Sequence, residues 1–140
     1  MATAVVIHAP CVIDLLRNGA RAVEVLEAIY GRSLVAPAHI DVDVASALAL
    51  MQQSGVPADD IRMRVEIYLR IPLRRYEVAP LMLDAWDRRA GRFLSDDLYV
   101  ALAEHLEVPL VTRDRDLAQA CSRAILVQVT RGWGPLRGDA

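Results

Sequence analysis

Four polar points interrupt an otherwise apolar sequence. His8 ends the run Val5-Val6-Ile7 and precedes Ala9-Pro10. Asp41 and Asp43 lie in "AHIDVDVASAL". Asp96 and Asp97 follow Ser95. Thr112, Arg113 and Asp114 close the run "VPLVTRD", with Arg115 and Asp116 next. Carboxylates that converge repel one another, and such clusters usually hold a hard divalent cation, Mg²⁺ or Mn²⁺. Such an ion activates water and stabilises phosphoryl oxygens, the chemistry of phosphodiester hydrolysis. Each acid also has a structural explanation. Asp96 and Asp97 behind Ser95 suit a helix N-terminus, Asp114 suits a helix cap, and Asp43 suits a solvated helix face. No single acid is specific; their joint placement carries the argument.

That placement depends on the elements. "TAVVI" is β-rich, short and bounded by Pro10, so it predicts a strand ending at His8. "CVIDLLRNG" has helical spacing at Val12, Leu15 and Leu16, with Gly19 as its stop. "ARAVEVLEAIYG" predicts a second helix capped by Gly31. "SLVAP" predicts a strand. "AHIDVDVASALALMQQSG" predicts a long helix that carries Asp43 in its middle. Pro57 opens another helix that ends before Pro72. "RRYEVAP" reads as a strand, "LMLDAWDRRAG" and "SDDLYVALAEHLE" as helices with Ser95 as the cap of the latter. "VPLVT" and "AILVQV" read as strands around the short helix "DRDLAQAC". Strands alternating with helices predict a single-domain, three-layer α/β/α sandwich on a mainly parallel sheet of about five strands. In such sheets sites form at the carboxyl ends of the strands, near the switch in strand order. His8, the acids after the second strand, Ser95-Asp96 and Asp114 are all expected at that edge.

Composition narrows the class. The 140 residues make about one domain. Hydrophobic residues are 54% and mean hydropathy is +0.25, so a large core or an apolar partner interface is expected. No apolar run reaches the roughly 18 residues needed to cross a bilayer. The N-terminus lacks a basic region, and Cys11 and Cys121 sit among apolar neighbours as reduced core thiols, so a cytoplasmic protein without a membrane role is expected. Net charge is −2, which argues against simple wrapping of nucleic acid. Every basic residue is arginine. Residues 132–140 read as a flexible tail.

"LSDDLYVALAEHLEVPLVTRDRDLAQA" resembles the C-terminal half of PIN-domain ribonucleases, in particular VapC toxins of toxin–antitoxin pairs. In that family an aspartate precedes a Tyr-Val-Ala-Leu-Ala-Glu run, followed by Pro-Leu-Val-Thr-x-Asp. Asp96, the run Tyr99 to Glu104, and the run Pro109 to Asp114 match in residues and spacing. "VAPAHIDVDVASAL" resembles the segment where the family places a glutamate, and Asp43 takes that position. The family's first strand ends in Asp-Ala-Ser, whereas this chain has His8-Ala9-Pro10. The resemblance covers nearly the whole chain, the middle helices in pattern only, and makes residues 1–131 the PIN-like domain.

The resemblance implies a Mg²⁺- or Mn²⁺-dependent endoribonuclease. Asp43, Asp96 and Asp114 would hold one or two ions, with His8 in place of the missing acid. Water would attack an RNA phosphodiester in line and leave a 5′-phosphate and a 3′-hydroxyl. Thr112 would orient a water or Asp114, or is an ordinary strand residue. Arg113 and Arg115 would meet RNA phosphates, or face solvent. The implied partners are RNA, a cognate VapB-like antitoxin and a second copy of the chain in a homodimer. "IRMRVEIYLRIPLRRYEV", with Met63, Ile67, Tyr68 and Leu69, would line the antitoxin groove or simply pack. A second reading is a weakened PIN domain that binds antitoxin or RNA without cutting; His8 divides the two. A response regulator is disfavoured, since that fold needs a lysine and this chain has none.

Overall fold

The computed structural model describes residues 3–128. β1 (Thr3–Ile7) leads through α1 (Ala9–Arg17) and α2 (Ala20–Ile29) to β2 (Arg32–Pro37). Next come α3 (Ile40–Gln53), α4 (Ala58–Arg70) and β3 (Leu73–Tyr76). A 3₁₀ turn (Ala79–Leu81), α5 (Met82–Arg88) and α6 (Leu94–Leu106) precede β4 (Leu110–Thr112), α7 (Arg115–Ala120) and β5 (Ala124–Leu126). The tail at 132–140 lies outside the described residues.

All four strand pairings are parallel, and the order is β3-β2-β1-β4-β5. This is the three-layer α/β fold expected from the sequence. The chain starts in the middle, grows outward through β2 and β3, then crosses to β4 on the other side of β1. The reversal between β1 and β4 is the switch point at which open α/β sheets form their clefts. β1 carries no alternation of polar and apolar residues because both faces are covered: Val5, Val6 and Ile7 are all fully buried.

Helices α1 to α4 pack on one another, and α5 and α7 pack on α6, which lies against β1, β2 and β4. Residues Leu98 to Ala103 of α6 are buried without a break. A helix buried all round lies inside the domain. Each fully buried Leu, Ile or Val contributes about 1.5–3 kcal/mol. The high apolar content is therefore mostly core, although Leu83, Trp86 and Phe93 stand exposed around α5.

Local chemistry sets the element ends. Pro10 sits in the first turn of α1, where its missing N–H is harmless, and fixes the turn directly after His8. The expected stop at Gly19 falls one residue earlier: Asn18 takes the left-handed conformation at φ 55°, and Gly19 opens α2 instead. Asn tolerates that conformation because its short side chain is polar. Gly31, at φ 72°, follows α2 as the sequence suggested. α6 begins at Leu94 with Phe93 at the cap position and no side-chain cap, so Ser95 lies inside the first turn. Asp43 likewise lies in the first turn of α3 rather than its middle. The second correction moves Asp43 toward a helix N-terminus, where the backbone N–H groups favour negative charge, while the first sets Asp96 and Asp97 two positions deeper into α6.

Candidate active site

Register places the first residues of the site. Ile7 pairs with Val111 across β1 and β4, and the His8 N–H donates to the Val111 carbonyl at 3.0 Å. His8 and Thr112 therefore leave the two strands side by side. His8 Nδ1 lies 2.9 Å from Thr112 Oγ1, and His8 Nε2 lies 3.0 Å from Asp96 Oδ1. Thr112 Oγ1 also accepts from the Asp114 N–H at 3.1 Å. One proton arrangement satisfies every partner: the Thr112 hydroxyl donates to Nδ1, and Nε2–H donates to the Asp96 carboxylate. His8 and Thr112 are buried, whereas Asp96 keeps 28% of its side chain exposed.

Asp43 forms the facing wall. Its Oδ2 accepts from the Tyr99 hydroxyl at 2.9 Å and lies 3.4 Å from His39 Nε2. His39 Nε2 is also 2.9 Å from the Ser95 carbonyl oxygen. The Tyr99 ring is fully buried between two imidazoles, with the centroids of His8 and His39 each 4.9 Å away. Burial, and then the charge of Asp43, push the Tyr99 phenol far up, so it stays a donor. Tyr99 stands three residues after Asp96, on the same face of α6. One helix thus carries one acid of the site and the group that orients the other.

His8, Asp43, Ser95 and Asp96 line one cleft of about 790 Å³. Asp114 does not line it. Its Oδ1 accepts from the Leu117 N–H at 3.1 Å and caps α7. Thr112 lies beneath the cleft and reaches it through His8. Arg113 lines the cleft but is ion-paired with the buried Asp14 of α1. Arg115 faces a different depression, where it donates to Gln128. Asp97 is fully buried and held by two nitrogens of Arg92, outside the cleft. Asp41 is tied to Arg75 and Tyr68, also away from it. Tyr68 is accordingly buried, leaving Met63, Ile67 and Leu69 as the exposed apolar residues of α4.

The donor set can be weighed against a divalent cation. Among the described residues no three His, Cys, Asp or Glu side chains form a ready metal cluster. Asp43 Oδ1 and Asp96 Oδ2 have no hydrogen-bond partner among those described. Two carboxylate oxygens left over in one cleft suit a hard cation, which prefers oxygen ligands. His8 is the departure, since its Nε2 is engaged by Asp96. Sequence reasoning overlooked Tyr99 and His39. Their signals were present: Tyr99 falls at i+3 from Asp96, and His39 at i−4 from Asp43.

The sheet and its cleft define a parallel α/β domain whose cleft carries Asp43 and Asp96 beside His8. No protein-family model matches the sequence. Ribonuclease VapC3 of Mycobacterium tuberculosis is 36% identical over 118 residues, 83% of this chain and 86% of that protein. The crystal structure of PAE2754 from Pyrobaculum aerophilum has a TM-score of 0.69 at 23% identity, covering 91% of this chain and 85% of that one. VapBC2 of Rickettsia felis, solved bound to promoter DNA, has a TM-score of 0.66 at 8% identity, covering 90% of this chain and all of that one. The chain belongs to the VapC ribonuclease family of PIN-domain proteins.

Proposed function

We propose that this protein is a divalent-metal-dependent endoribonuclease, the toxin of a toxin–antitoxin pair. The single observation that supports it most is the pairing of Asp43 and Asp96 across one cleft, each with an unengaged carboxylate oxygen, in a chain of this family. Asp43 and Asp96 would hold the ion. When bound, such an ion polarises phosphoryl oxygens and makes water a competent nucleophile at neutral pH.

The chain's own residues do the positioning. Tyr99 and His39 fix Asp43, and His8 fixes Asp96. Thr112 fixes His8 and accepts from the backbone of Asp114, so the loop after β4 sets the imidazole's orientation. Asp114 contributes by capping α7, which holds that loop in place. With His8 at the first strand end and Asp114 capping α7, the cleft holds two carboxylates, Asp43 and Asp96. That lowers repulsion toward a phosphodiester and weakens the hold on a hard cation, Mg²⁺ or Mn²⁺. Arg113, beside the acids, meets an RNA phosphate. A VapB-like antitoxin and a second copy of the chain are the partners, served by apolar surface such as Leu83, Trp86 and Phe93. The protein acts in the cytoplasm.

The bond between His8 and Asp96 also favours a second reading, in which the domain binds RNA or antitoxin without cutting. Incubating the protein and a His8→Asp variant with labelled RNA in Mg²⁺, Mn²⁺ or EDTA separates them. Cutting by the parent in Mn²⁺, abolished by EDTA, is expected. Cutting by His8→Asp alone establishes the second reading, and no cutting by either protein removes both the activity and its assignment.

A further inference from the structure

The cleft has a second end. Arg17, in the last turn of α1, and Arg64, on α4, line it together with the acids. Arg64 Nη1 donates at 3.1 Å to the Leu16 carbonyl, one of the unpaired acceptors of the α1 C-terminus. That bond pins the guanidinium to the wall and leaves its other N–H groups for a ligand.

Neither arginine makes a salt bridge among the described residues. Six other arginines do, and of the described arginines that do not, only Arg17 and Arg64 line the cleft. The charge of Arg17 acts on Asp14, which is buried and already paired with Arg113. Arg17 and Arg64 are therefore cations of the cleft without a salt-bridged counter-ion among the described residues.

Helix geometry gives the spacing. His8 precedes α1 and Arg17 ends it, nine residues on. At 1.5 Å per residue the arginine end lies about 13 Å from the histidine along the helix. Ile13, Leu50 and Met51 line the floor between. Apart from His8, whose ring packs on Tyr99, the lining contains no aromatic side chain on which bases would stack. A strand lying there would be held by its charges rather than its bases.

We propose that Arg17 and Arg64 form a phosphate-binding subsite that lays single-stranded RNA along α1, away from the acid end. This rests on the reading that the cleft acts on RNA. The acids repel a polyanion, so attraction has to come from elsewhere in the same cleft, and these arginines are placed to supply it. The subsite reads charge and not sequence.

Fluorescence anisotropy with a labelled single-stranded RNA of about ten nucleotides, in EDTA, tests this directly. Arg17→Ala is expected to weaken binding several-fold, and Arg17→Ala with Arg64→Ala roughly tenfold. The slope of log K against log salt should shrink by about 1.4, the value for two phosphate contacts on a single strand. The double lysine variant should keep the slope. Arg17 is exposed, so its single variant reports even where loss of the Arg64 bond unsettles the fold. Unchanged affinity and slope in the double alanine variant overturn the proposal. So does loss of affinity for a labelled acidic peptide with RNA binding intact, which would make this a protein-binding end. A parent that binds RNA through these arginines but never cuts leaves the subsite standing and removes the nuclease reading. A parent that cuts, with variants that bind as it does, leaves the nuclease reading and removes the subsite. A parent that neither binds nor cuts RNA removes both.

Discussion

Two pairs of aspartates, treated differently by the same fold, separate structure from chemistry. Asp14 and Asp97 are buried and matched to Arg113 and Arg92. Asp43 and Asp96 keep 28% of their side chains exposed, and neither has a guanidinium partner: Asp43 meets a phenol and an imidazole, Asp96 an imidazole. A carboxylate with a guanidinium partner has its charge cancelled, and in Asp97 both oxygens are occupied. A carboxylate bonded through one oxygen and without a guanidinium partner keeps its charge and its other oxygen for something that enters the cleft. Adjacent positions in the sequence fall into opposite groups. Asp96 faces the cleft and Asp97 faces Arg92, because neighbours on a helix point about 100° apart.

Breaking a buried pair should have the largest effect. Arg92→Ala leaves Asp97 buried without its partner, a loss of about 3 kcal/mol read as a lower urea midpoint. An unchanged midpoint would mean that the pair is not a structural anchor. Tyr99→Phe is the sharper test. It keeps the ring between His8 and His39 and removes only the hydroxyl that orients Asp43. Stability should fall by about 1 kcal/mol, while RNA cleavage falls roughly tenfold, as for loss of an orienting partner. Equal cleavage by Tyr99→Phe and the parent would leave Asp43 without need of orientation.

A third aspartate lies between the groups. Burial alone would raise the Asp41 carboxyl, but hydrogen bonds from Arg75 and Tyr68 reverse this and hold it below its ordinary value. A lowered carboxyl stabilises the fold above the unfolded value near 3.8, and that contribution is lost as pH falls through the folded one. Asp41 is half-exposed, so solvent screens the effect, and less than about 1 kcal/mol is expected. Asp41→Asn should therefore lose less melting temperature than the parent between pH 5 and pH 3. Equal losses would show that the triad contributes nothing.

Cys11 gives the smallest signal. Burial, and then Asp14, push its thiol up to about 12, so it should not react with a disulfide reagent at pH 8 until the protein is unfolded. Rapid reaction of the native protein at this position would show that α1 opens readily.

Much of this was legible in the sequence, and the reasons differ by region. The strand ends were readable because buried parallel strands are short apolar runs, and the polar residue that stops each run marks the edge where sites form. His8 and Thr112 were both named in that way. Their contact was not readable, because it depends on the register between strands 104 residues apart. Arg113 was expected to meet RNA phosphates or face solvent. Its ion pair with Asp14 was hidden, since nothing in "CVIDLL" reveals a partner 99 residues away. Asp114 carried two readings in sequence, ligand and cap. The structure gives it the geometry of a cap. Arg17 and Arg64 were passed over because arginine is the only basic residue in this chain. Without contrast in residue type, only the placement of counter-ions shows which arginines are spare.

The most direct test sets Asp96→Asn against Asp97→Asn, with RNA cleavage and thermal stability measured on the same preparations in Mn²⁺. Asp96→Asn should melt near the parent temperature and cut at least about a hundredfold more slowly. Asp97→Asn should melt lower, yet cut at close to the parent rate while folded. Cleavage that survives Asp96→Asn, or that fails in folded Asp97→Asn as it does in Asp96→Asn, would contradict the division of the acids on which the active site rests.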